Sequence, residues 1–333
     1  MVELPRHAQV VIIGGGIIGC SVAYHLTKMG WNDIVLVERR KLTSGTTWHA
    51  AGLVGQLRAT YNLTRLAQYT TELYATLEEE TGQSTGFRQN GSLAIASDGE
   101  RFEEFIRGAS MASCFGVEAQ VITPFETREL YPIIETNDLV GAVFLPKDGQ
   151  TNPTDTAQAL ARGARNRGAR IFEGVCVTDI LVNDNRVTQV CTESGDVTCE
   201  YVVNCAGMWA REVGQLCEVN VPLHAAEHFY VVTESIPRLP TDLPVLREPS
   251  ACNYYKEDAG KLLIGMFEPV AKPWGMDGIP EDFEFETQEE FADDITLAIH
   301  NERVSGMFIA GICLLIGGIG IINIMLSSIS ERV

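Results

Sequence analysis

The stretch at residues 9–38 limits what this chain can fold into more than any other part of the sequence. An apolar run at 10–13 leads into a G-x-G-x-x-G motif at 14–19, and helix-forming residues follow the motif. A second apolar run at 34–37 then ends at the acid Glu38. This order of strand, glycine turn, helix and strand is the context in which the motif indicates dinucleotide binding. The alternative is a glycine-rich turn that binds nothing.

Each glycine of the motif has a physical task in such a unit. Gly14, followed by Gly15, permits the tight turn, and Gly16 lets the backbone approach a pyrophosphate at the positive end of the helix. Gly19 lets the helix pack closely against the strand. Glu38 follows the turn by about 20 residues and can accept hydrogen bonds from a ribose hydroxyl. The unit is therefore expected to bind the ADP half of a dinucleotide.

Composition excludes several other classes of protein. The chain has 333 residues and a net charge of −19, and the clustered Lys and Arg that a nucleic-acid surface needs are absent from its sequence. Its nine cysteines include no C-x-x-C pair and several fall within apolar strand patterns. This usage predicts reduced thiols, no metal site and a cytoplasmic location. Residues 1–6 do not have the apolar character of a secretory signal.

Hydrophobic periodicity gives a coarse secondary structure for the rest of the chain. Short apolar runs broken by turn residues at 170–203 predict a hairpin meander. After a strand at 201–205, the small residues Ala206 and Gly207 form a second turn of the kind that brings backbone close to a dinucleotide. The other predicted elements are helices at 62–80 and 99–113, strands at 86–96, 141–145, 224–233 and 262–267, and a helix that begins with proline after the cap Asn152.

A loop rich in small and hydroxyl-bearing residues follows the second strand, at 42–52. No period of two or 3.6 fits it, so neither a strand nor a helix is predicted there. Loops at the carboxyl edge of a dinucleotide-binding sheet meet the ligand, and His49 lies in this one. A neutral imidazole is a competent nucleophile near neutral pH. The alternative role for His49 is a hydrogen bond within the loop.

The string T-T-W-H-A-A-G at 46–52 resembles the flavinylation loop of the dimethylglycine and sarcosine dehydrogenase family. That family belongs to the wider group of D-amino-acid-oxidase-like flavoproteins. The similarity extends in order through about the first 285 residues. Further matching strings are L-E-E-E-T-G-Q at 77–83, N-G-S at 90–92, D-G at 148–149, V-V-N-C-A-G-M-W-A-R-E-V at 202–213, Y-V-V-T at 230–233 and L-P-V-L-R at 243–247.

The resemblance implies an α/β fold built from two discontinuous domains. A Rossmann-like FAD-binding domain is expected at 1–86 and 150–220, without the C-terminal segment that the family has. A mostly antiparallel substrate domain is expected at 87–149 and 221–285. The resemblance also implies FAD, attached covalently through His49 to the 8α-methyl group of the flavin. The residues expected to contact FAD are Gly14, Gly15, Gly16, Gly19, Glu38, Arg39, Thr46, Thr47, His49, Ala51, Leu53, Ala206 and Gly207.

The activity implied by the resemblance is oxidative N-demethylation of a small methylated amino acid, of the dimethylglycine or sarcosine type. This reaction needs a flavin as hydride acceptor, an unprotonated amine, and a cation or hydrogen-bond donors for the substrate carboxylate. The resemblance makes His228, Tyr254 and Tyr255 the catalytic candidates, although residues of these types are more often structural. Arg247 or Arg58 could clamp the carboxylate. The electron acceptor stays open between oxygen and an electron-transfer protein.

The family resemblance ends near residue 286, and an appended segment is expected at 286–333. It contains an uncharged apolar run at 307–329, which as a helix of about 34 Å would span a bilayer. The letters at 309–326 resemble a transmembrane helix of macrolide-exporter-type ABC-transporter permeases. Three interpretations stay open. They are an inactive flavoprotein fragment fused to a permease segment, a membrane-anchored flavoenzyme, and a core helix.

Overall fold

The computed structural model of the protein describes residues 3–280 and 283. Most strands of this part belong to two large β-sheets, and two pairs of short strands lie apart from them. In chain order the strands are β1 His7–Ile13, β2 Ile34–Glu38, β3 Leu53–Val54, β4 Ser92–Ala96, β5 Gln120–Ile122, β6 Gly141–Leu145, β7 Gly149–Gln150, β8 Arg170–Glu173, β9 Val177–Asn183, β10 Arg186–Thr192, β11 Val197–Asn204, β12 Ala225–Ala226, β13 Tyr230–Val232, β14 Val245–Glu248, β15 Asn253–Asp258, β16 Lys261–Met266 and β17 Pro273–Trp274.

Local sequence signals explain where the helices begin and end. The side chain of Thr60 caps α2, which stops at Gly82 in the left-handed conformation, and α4 begins with a capping box made by Thr123 and Glu126. Asn152 caps α5, and proline occupies its first turn. The helices are α1 Ile17–Lys28, α2 Tyr61–Thr81, α3 Gly99–Cys114, α4 Pro124–Leu130, α5 Pro153–Asn166 and α6 Ala210–Gln215, with 3-10 turns at Gly207–Trp209 and Pro249–Ala251.

The first large sheet has the strand order β8-β2-β1-β11-β10-β9. β1 pairs in parallel with both β2 and β11, and β2 pairs in parallel with β8. Side chains cover both of its faces, which is why β1 and β2 are continuous apolar runs. Tyr24, Leu77 and Leu160 belong to one of these buried clusters, and Val35 and Val190 belong to the other.

This pairing corrects the hairpin meander that the sequence predicts at 170–203. Only β9, β10 and β11 pair as antiparallel neighbours. β8 instead pairs with β2, and β11 with β1, both in parallel. Turn residues mark where a strand ends, but they carry no information about a partner more than 100 positions away. The crossover therefore could not be inferred from the local pattern.

The second large sheet has the order β13-β16-β15-β14-β4-β6-β5. Residues directly opposite each other on neighbouring strands share a face of the sheet. One such row contains Tyr254, Arg247, Ala94 and Val143, and we call the face that carries this row the cavity face. The next row contains Tyr255, Leu246, Leu93 and Phe144 and therefore belongs to the opposite face.

Residues Met1–Ile279 form one compact unit. The six-stranded sheet takes its strands from 7–38 and 170–204, and the seven-stranded sheet takes its strands from 92–145 and 230–266. The domain boundaries inferred from the sequence remain a prediction. The appended segment at 286–333, with its apolar run at 307–329, lies outside the described residues. Among the helices that are described, none has both the length and the hydropathy of a membrane span.

Candidate active site

The glycine turn between β1 and α1 leaves no room for side chains at two positions. Gly14 has a φ of +109°, and a Cβ added there would lie 2.4 Å from the carbonyl oxygen of Cys205. A Cβ added at Gly19 would lie 1.9 Å from the carbonyl oxygen of Gly14. Both clashes involve backbone atoms that cannot move aside easily. These positions therefore need glycine, and the turn is held against the ends of β1 and β11.

The N-terminus of α1 fits an anionic group. Gly16 is the N-cap residue in an extended conformation, it supplies no side-chain hydrogen bond, and the first turn of the helix contains no acid. A Cβ added at Gly16 would lie 3.0 Å from Oγ1 of Thr47, which accepts a hydrogen bond from the Ile17 amide at 3.0 Å. The positive helix end and its small N-cap suit the diphosphate of FAD. The Thr47 hydroxyl lies at the border of this cradle.

Glu38, at the end of β2, stabilises the glycine turn through its side chain and lies at the dinucleotide edge of the sheet. Its Oε2 accepts a hydrogen bond from the Gly15 amide at 2.7 Å, and its Oε1 accepts one from the Arg40 amide at 2.9 Å. An ionised carboxylate has about four lone-pair sites, so two remain for ribose hydroxyls. The backbone amide of Val175 donates to the Glu38 carbonyl oxygen at 2.9 Å. Val175 thus adjoins this end of the site, and nothing in its local sequence signalled that.

The loop predicted at 42–52 is a series of turns wrapped against the glycine turn. The amide of Thr43 donates to the Gly15 carbonyl oxygen at 3.0 Å, and the amide of Ala50 donates to the Thr47 carbonyl oxygen at 3.2 Å. The rings of Trp48 and His49 contact each other with centroids 3.9 Å apart. Burial lowers the pKa of the His49 imidazole, since desolvation disfavours its charged form. The ring is therefore neutral at physiological pH.

The second small-residue turn packs onto the same loop. Gly207 has a φ of +56°, and a Cβ added there would lie 3.9 Å from Oγ1 of Thr46. The Arg39 guanidinium lies 3.9 Å from the centroid of the Trp209 ring, and a Cβ added at Gly45 would lie 3.3 Å from the same ring. The Trp209 indole nitrogen is buried and has no hydrogen-bond partner within the described residues. A bound cofactor could supply an acceptor for it.

These contacts bring the predicted cofactor-contacting residues of the first strand, the loop and the second turn to one edge of the six-stranded sheet. The loop then continues through Ala51 into β3, where Leu53 pairs with Gln150. Leu53 lines a cavity of about 430 Å³ on the cavity face of the second sheet. The chain therefore runs directly from the dinucleotide edge to the wall of a cavity of small-molecule size.

The cavity carries charged groups of both signs. Arg58 and Arg247 line it, and so does the buried acid Asp148. Burial raises the pKa of the Asp148 carboxyl, against a hydrogen bond from Ser92 that favours its ionised form. Desolvation and the neighbouring Arg58 lower the pKa of Arg247, although its residue remains exposed on one side. With Arg107 and Glu104 included, three guanidiniums and two carboxylates line the cavity, which leaves a surplus of positive charge.

The structure brings together two of the three catalytic candidates. His228 Nε2 lies 3.1 Å from the Tyr254 hydroxyl, and His228 Nδ1 lies 3.1 Å from Glu268 Oε2. The His228 ring stacks on Phe267 with centroids 5.2 Å apart. Tyr254 shares a cross-strand row with Arg247, and its ring covers Gly265, where an added Cβ would lie 2.2 Å from the hydroxyl oxygen. No local sequence pattern singles out Phe267, Glu268 or Gly265 as part of this group.

Tyr255 is not part of this group. Alternation along β15 places it on the opposite face from Tyr254, where it packs against an apolar cluster that contains Leu93 and Leu246. The two tyrosines that the sequence paired as catalytic candidates therefore cannot face the same site. Successive side chains of a strand point to opposite faces, and this alternation separates the two tyrosines.

A doubly wound sheet with a glycine turn at its switch point, joined to a cavity-bearing sheet, is an arrangement that suits a dinucleotide-dependent oxidoreductase. The sequence matches the family described as FAD dependent oxidoreductase, DAO, across residues 9–304. The chain belongs to this family, and the match passes beyond residue 286, where the motif resemblance ended.

The chain is also similar to two mitochondrial dehydrogenases in sequence and to one solved structure in fold. It is 42% identical over 288 residues to the mitochondrial sarcosine dehydrogenase of Mus musculus, covering 85% of this chain and 31% of that protein. It is 38% identical over 302 residues to the mitochondrial dimethylglycine dehydrogenase of Rattus norvegicus, covering 88% and 35%. The crystal structure of L-proline dehydrogenase from P. horikoshii superimposes with a TM-score of 0.76 at 27% identity, covering 87% of this chain and 75% of that one. The chain spans about a third of the length of these two relatives.

Proposed function

We propose that this chain is the flavin-bearing part of an oxidoreductase that removes an N-methyl group from a small amino acid. The observation that carries the proposal is the cavity lined by Arg58, Arg247 and Asp148 at the end of the loop that contains His49. A cavity with paired guanidiniums suits a ligand that bears a carboxylate. Sarcosine and dimethylglycine, which the names of the two relatives contain, are N-methylated amino acids with such a group.

The proposed course of FAD follows the path of the chain. Glu38 would contact the adenosine ribose, and the diphosphate would lie between Gly16, Thr47 and the second turn at Ala206 and Gly207. The redox-active ring system would then reach the cavity past Ala51 and Leu53. His49 would attach the cofactor covalently, because a neutral ring nitrogen is the nucleophilic form of histidine. Burial, which lowers the pKa of His49, supports this role.

The chain's own groups would orient the substrate. Arg247 and Arg58 would bind the carboxylate, and Tyr254, in the same cross-strand row as Arg247, would lie with His228 further along that face. The hydrogen bond between His228 and Tyr254 fixes the orientation of the hydroxyl, and the stack on Phe267 keeps the imidazole in place. The flavin, when bound, supplies the acceptor for a hydride from the N-methyl carbon. Water would hydrolyse the released imine to formaldehyde and the demethylated amine.

A single preparation tests the proposal. The purified chain should show a flavin spectrum, keep its yellow colour through acid precipitation, and release formaldehyde when sarcosine or dimethylglycine is added. A His49→Ala variant should bind flavin that acid releases completely. Release of all flavin from the unaltered chain would refute the covalent linkage. A flavin-loaded chain that oxidises neither amine, while oxidising a substrate without an N-methyl group, would refute the substrate class.

A further inference from the structure

Asp148 is a buried carboxylate to which the proposed function gives no chemical role. Only 4% of the residue is exposed, yet it lines the same cavity as Arg58 and Arg247. Its Oδ1 accepts hydrogen bonds from the Gln56 backbone amide at 2.8 Å and from Gln56 Nε2 at 3.4 Å, and its Oδ2 accepts one from the Ser92 hydroxyl at 2.6 Å. Oδ2 therefore retains a lone pair for another donor.

The position of Oδ2 connects it with the cavity. A Cβ added at Gly55 would lie 3.2 Å from Oδ2 of Asp148 and 3.5 Å from Nη1 of Arg58. Gly55 itself lines the cavity. One small region beside Gly55 therefore lies within contact distance of a carboxylate oxygen and of a guanidinium nitrogen. A zwitterion presents complementary groups, a carboxylate and an ammonium, over a similarly short distance.

The amine of a free N-methylated amino acid is protonated at neutral pH, since alkyl ammonium groups such as that of lysine titrate at about 10.4. Oxidation of the N-methyl group needs the nitrogen lone pair, so the proton must leave before the carbon–hydrogen bond is broken. Arg58, Arg247 and Arg107 line the cavity and cannot accept this proton. The other acid in the cavity wall, Glu104, already pairs with Arg101 at 2.5 Å and is exposed.

We propose that Asp148 binds the substrate ammonium and accepts its proton. This inference rests on the proposed function and adds a catalytic residue to it. The N–H bond of the ammonium breaks, its electron pair stays on nitrogen, and the proton forms an O–H bond with Oδ2 of Asp148. The substrate carboxylate remains with the guanidiniums. The cavity thus selects zwitterions and converts the bound amine to the form that can be oxidised.

The local environment suits this task. Burial raises the pKa of Asp148, while the Ser92 hydroxyl, the Gln56 amide and Arg247 act in the opposite direction. Asp148 accepts a proton only when it is ionised, so kcat/KM should fall as pH decreases through its raised pKa. A raised pKa also makes the carboxylate a stronger base than an ordinary aspartate.

The test compares Asp148→Asn with Glu103→Gln, a charge change on an exposed residue of α3. Asn keeps an oxygen for the Gln56 amide, so the loop framework is retained. At pH 7.5 the kcat/KM of D148N for sarcosine should fall by about 10²- to 10⁴-fold. It should then increase about tenfold per pH unit up to the pKa of the free amine, because only the neutral amine is usable. E103Q should keep the profile of the unaltered chain.

Two ligands measure binding without turnover. Glycine betaine carries a permanent positive charge on nitrogen and no N–H proton. The thioether (methylthio)acetate, CH3–S–CH2–COO−, carries a carboxylate but no charge at the position of the amine. Flavin-absorbance titrations give the Kd of each ligand. For betaine, the Kd of D148N should be at least tenfold higher than that of the unaltered chain. For (methylthio)acetate, the two Kd values should agree within twofold. A Ser92→Ala variant, which loses the hydrogen bond that favours the carboxylate, should move the acidic limb of kcat/KM to higher pH.

The outcomes separate the two levels of inference. If the chain oxidises sarcosine while D148N keeps its pH profile and its betaine affinity, Asp148 has no such role and the proposed function stands. An acidic limb that does not move in S92A would also overturn the assignment to Asp148. If the flavin-loaded chain binds neither probe and oxidises no N-methylated amino acid, both proposals fail.

Discussion

The dinucleotide edge of the six-stranded sheet and the cavity face of the seven-stranded sheet differ in which atoms they present to a ligand. At the dinucleotide edge the binding surface is formed mainly by backbone atoms, because positions 14, 16 and 19 are glycines without side chains. On the cavity face, side chains such as Arg247 and Tyr254 project from neighbouring strands. Changes at the edge should therefore act on folding and cofactor retention together. Changes on the cavity face should act on the substrate while the cofactor stays bound.

Gly14→Ala should have the largest effect and would test the first half of this comparison. The methyl group would lie 2.4 Å from the carbonyl oxygen of Cys205, so β1 and β11 would have to separate at the switch point. We expect an insoluble product, or one without flavin and with a much lower Tm. Gly30→Ala is the matched control, because Gly30 also has a positive φ, +94°, but nothing lies within 4 Å of an added Cβ.

Gly30→Ala should cost only the backbone strain, about 1–2 kcal/mol, and should keep its flavin. The difference between the two variants then isolates the steric clash from the strain. Equal losses of Tm and flavin in the two variants would show that close packing of the turn is not what requires glycine at position 14.

Arg247→Met tests the other half. If Arg247 binds the substrate carboxylate by two charge-assisted hydrogen bonds, its loss should cost about 2–4 kcal/mol, or roughly 30- to 1000-fold in kcat/KM. Flavin content and Tm should stay close to those of the unaltered chain. Arg107→Met is the control, since Arg107 lines the same cavity but pairs with Glu103 on the exposed side of α3. Loss of flavin in R247M would contradict the division between the two regions.

His49 lies between the two regions, and the pH dependence of its attachment to flavin would sharpen the comparison. Burial lowers its pKa from the ordinary value of 6.5, so the neutral ring persists to lower pH than in a free histidine. The rate of flavin attachment to the apoprotein should therefore be half-maximal at a pH below 6.5. Below that midpoint it should fall by about tenfold per unit, because the ring is then protonated. Acid-stable flavin, sampled over time between pH 5 and 8, measures this rate, and a midpoint above 6.5 would contradict it.

The sequence predicted the dinucleotide half better than the cavity half, for a physical reason. The glycine turn is a contiguous motif whose parts contact each other, so spacing alone fixes its geometry. The helix at 62–80 and the strand at 141–145 likewise follow from local periodicity, and the structure has α2 Tyr61–Thr81 and β6 Gly141–Leu145. The family and its FAD chemistry followed from one loop and several matching strings.

The cavity face depends on register between strands that are distant in the chain. Tyr254 and Arg247 share a row with Ala94, which precedes Arg247 by about 150 positions. No local pattern shows that pairing, and this is why Tyr254 and Tyr255 were grouped although they point to opposite faces. The sequence named Asp148 only as part of a matching D-G string. Its place in the cavity wall depends on tertiary contacts with Gln56 and Ser92, which no local pattern shows.

Thr47→Val should have the smallest effect, and it asks whether the diphosphate lies where the comparison places it. Thr47 is 8% exposed, and its Oγ1 accepts from the Ile17 amide at 3.0 Å. Valine has nearly the same shape without the acceptor, so the apoprotein should lose about 0.5–2 kcal/mol of unfolding free energy, as for the loss of a helix cap. In the apoprotein, the control Thr46→Val removes an exposed hydroxyl from the same loop. With FAD bound, a phosphate oxygen at the end of α1 can accept from the Ile17 amide instead, so the difference between T47V and the unaltered chain should shrink in urea unfolding of the holoprotein. A loss that is equally large with and without FAD would mean that the diphosphate does not reach this helix end.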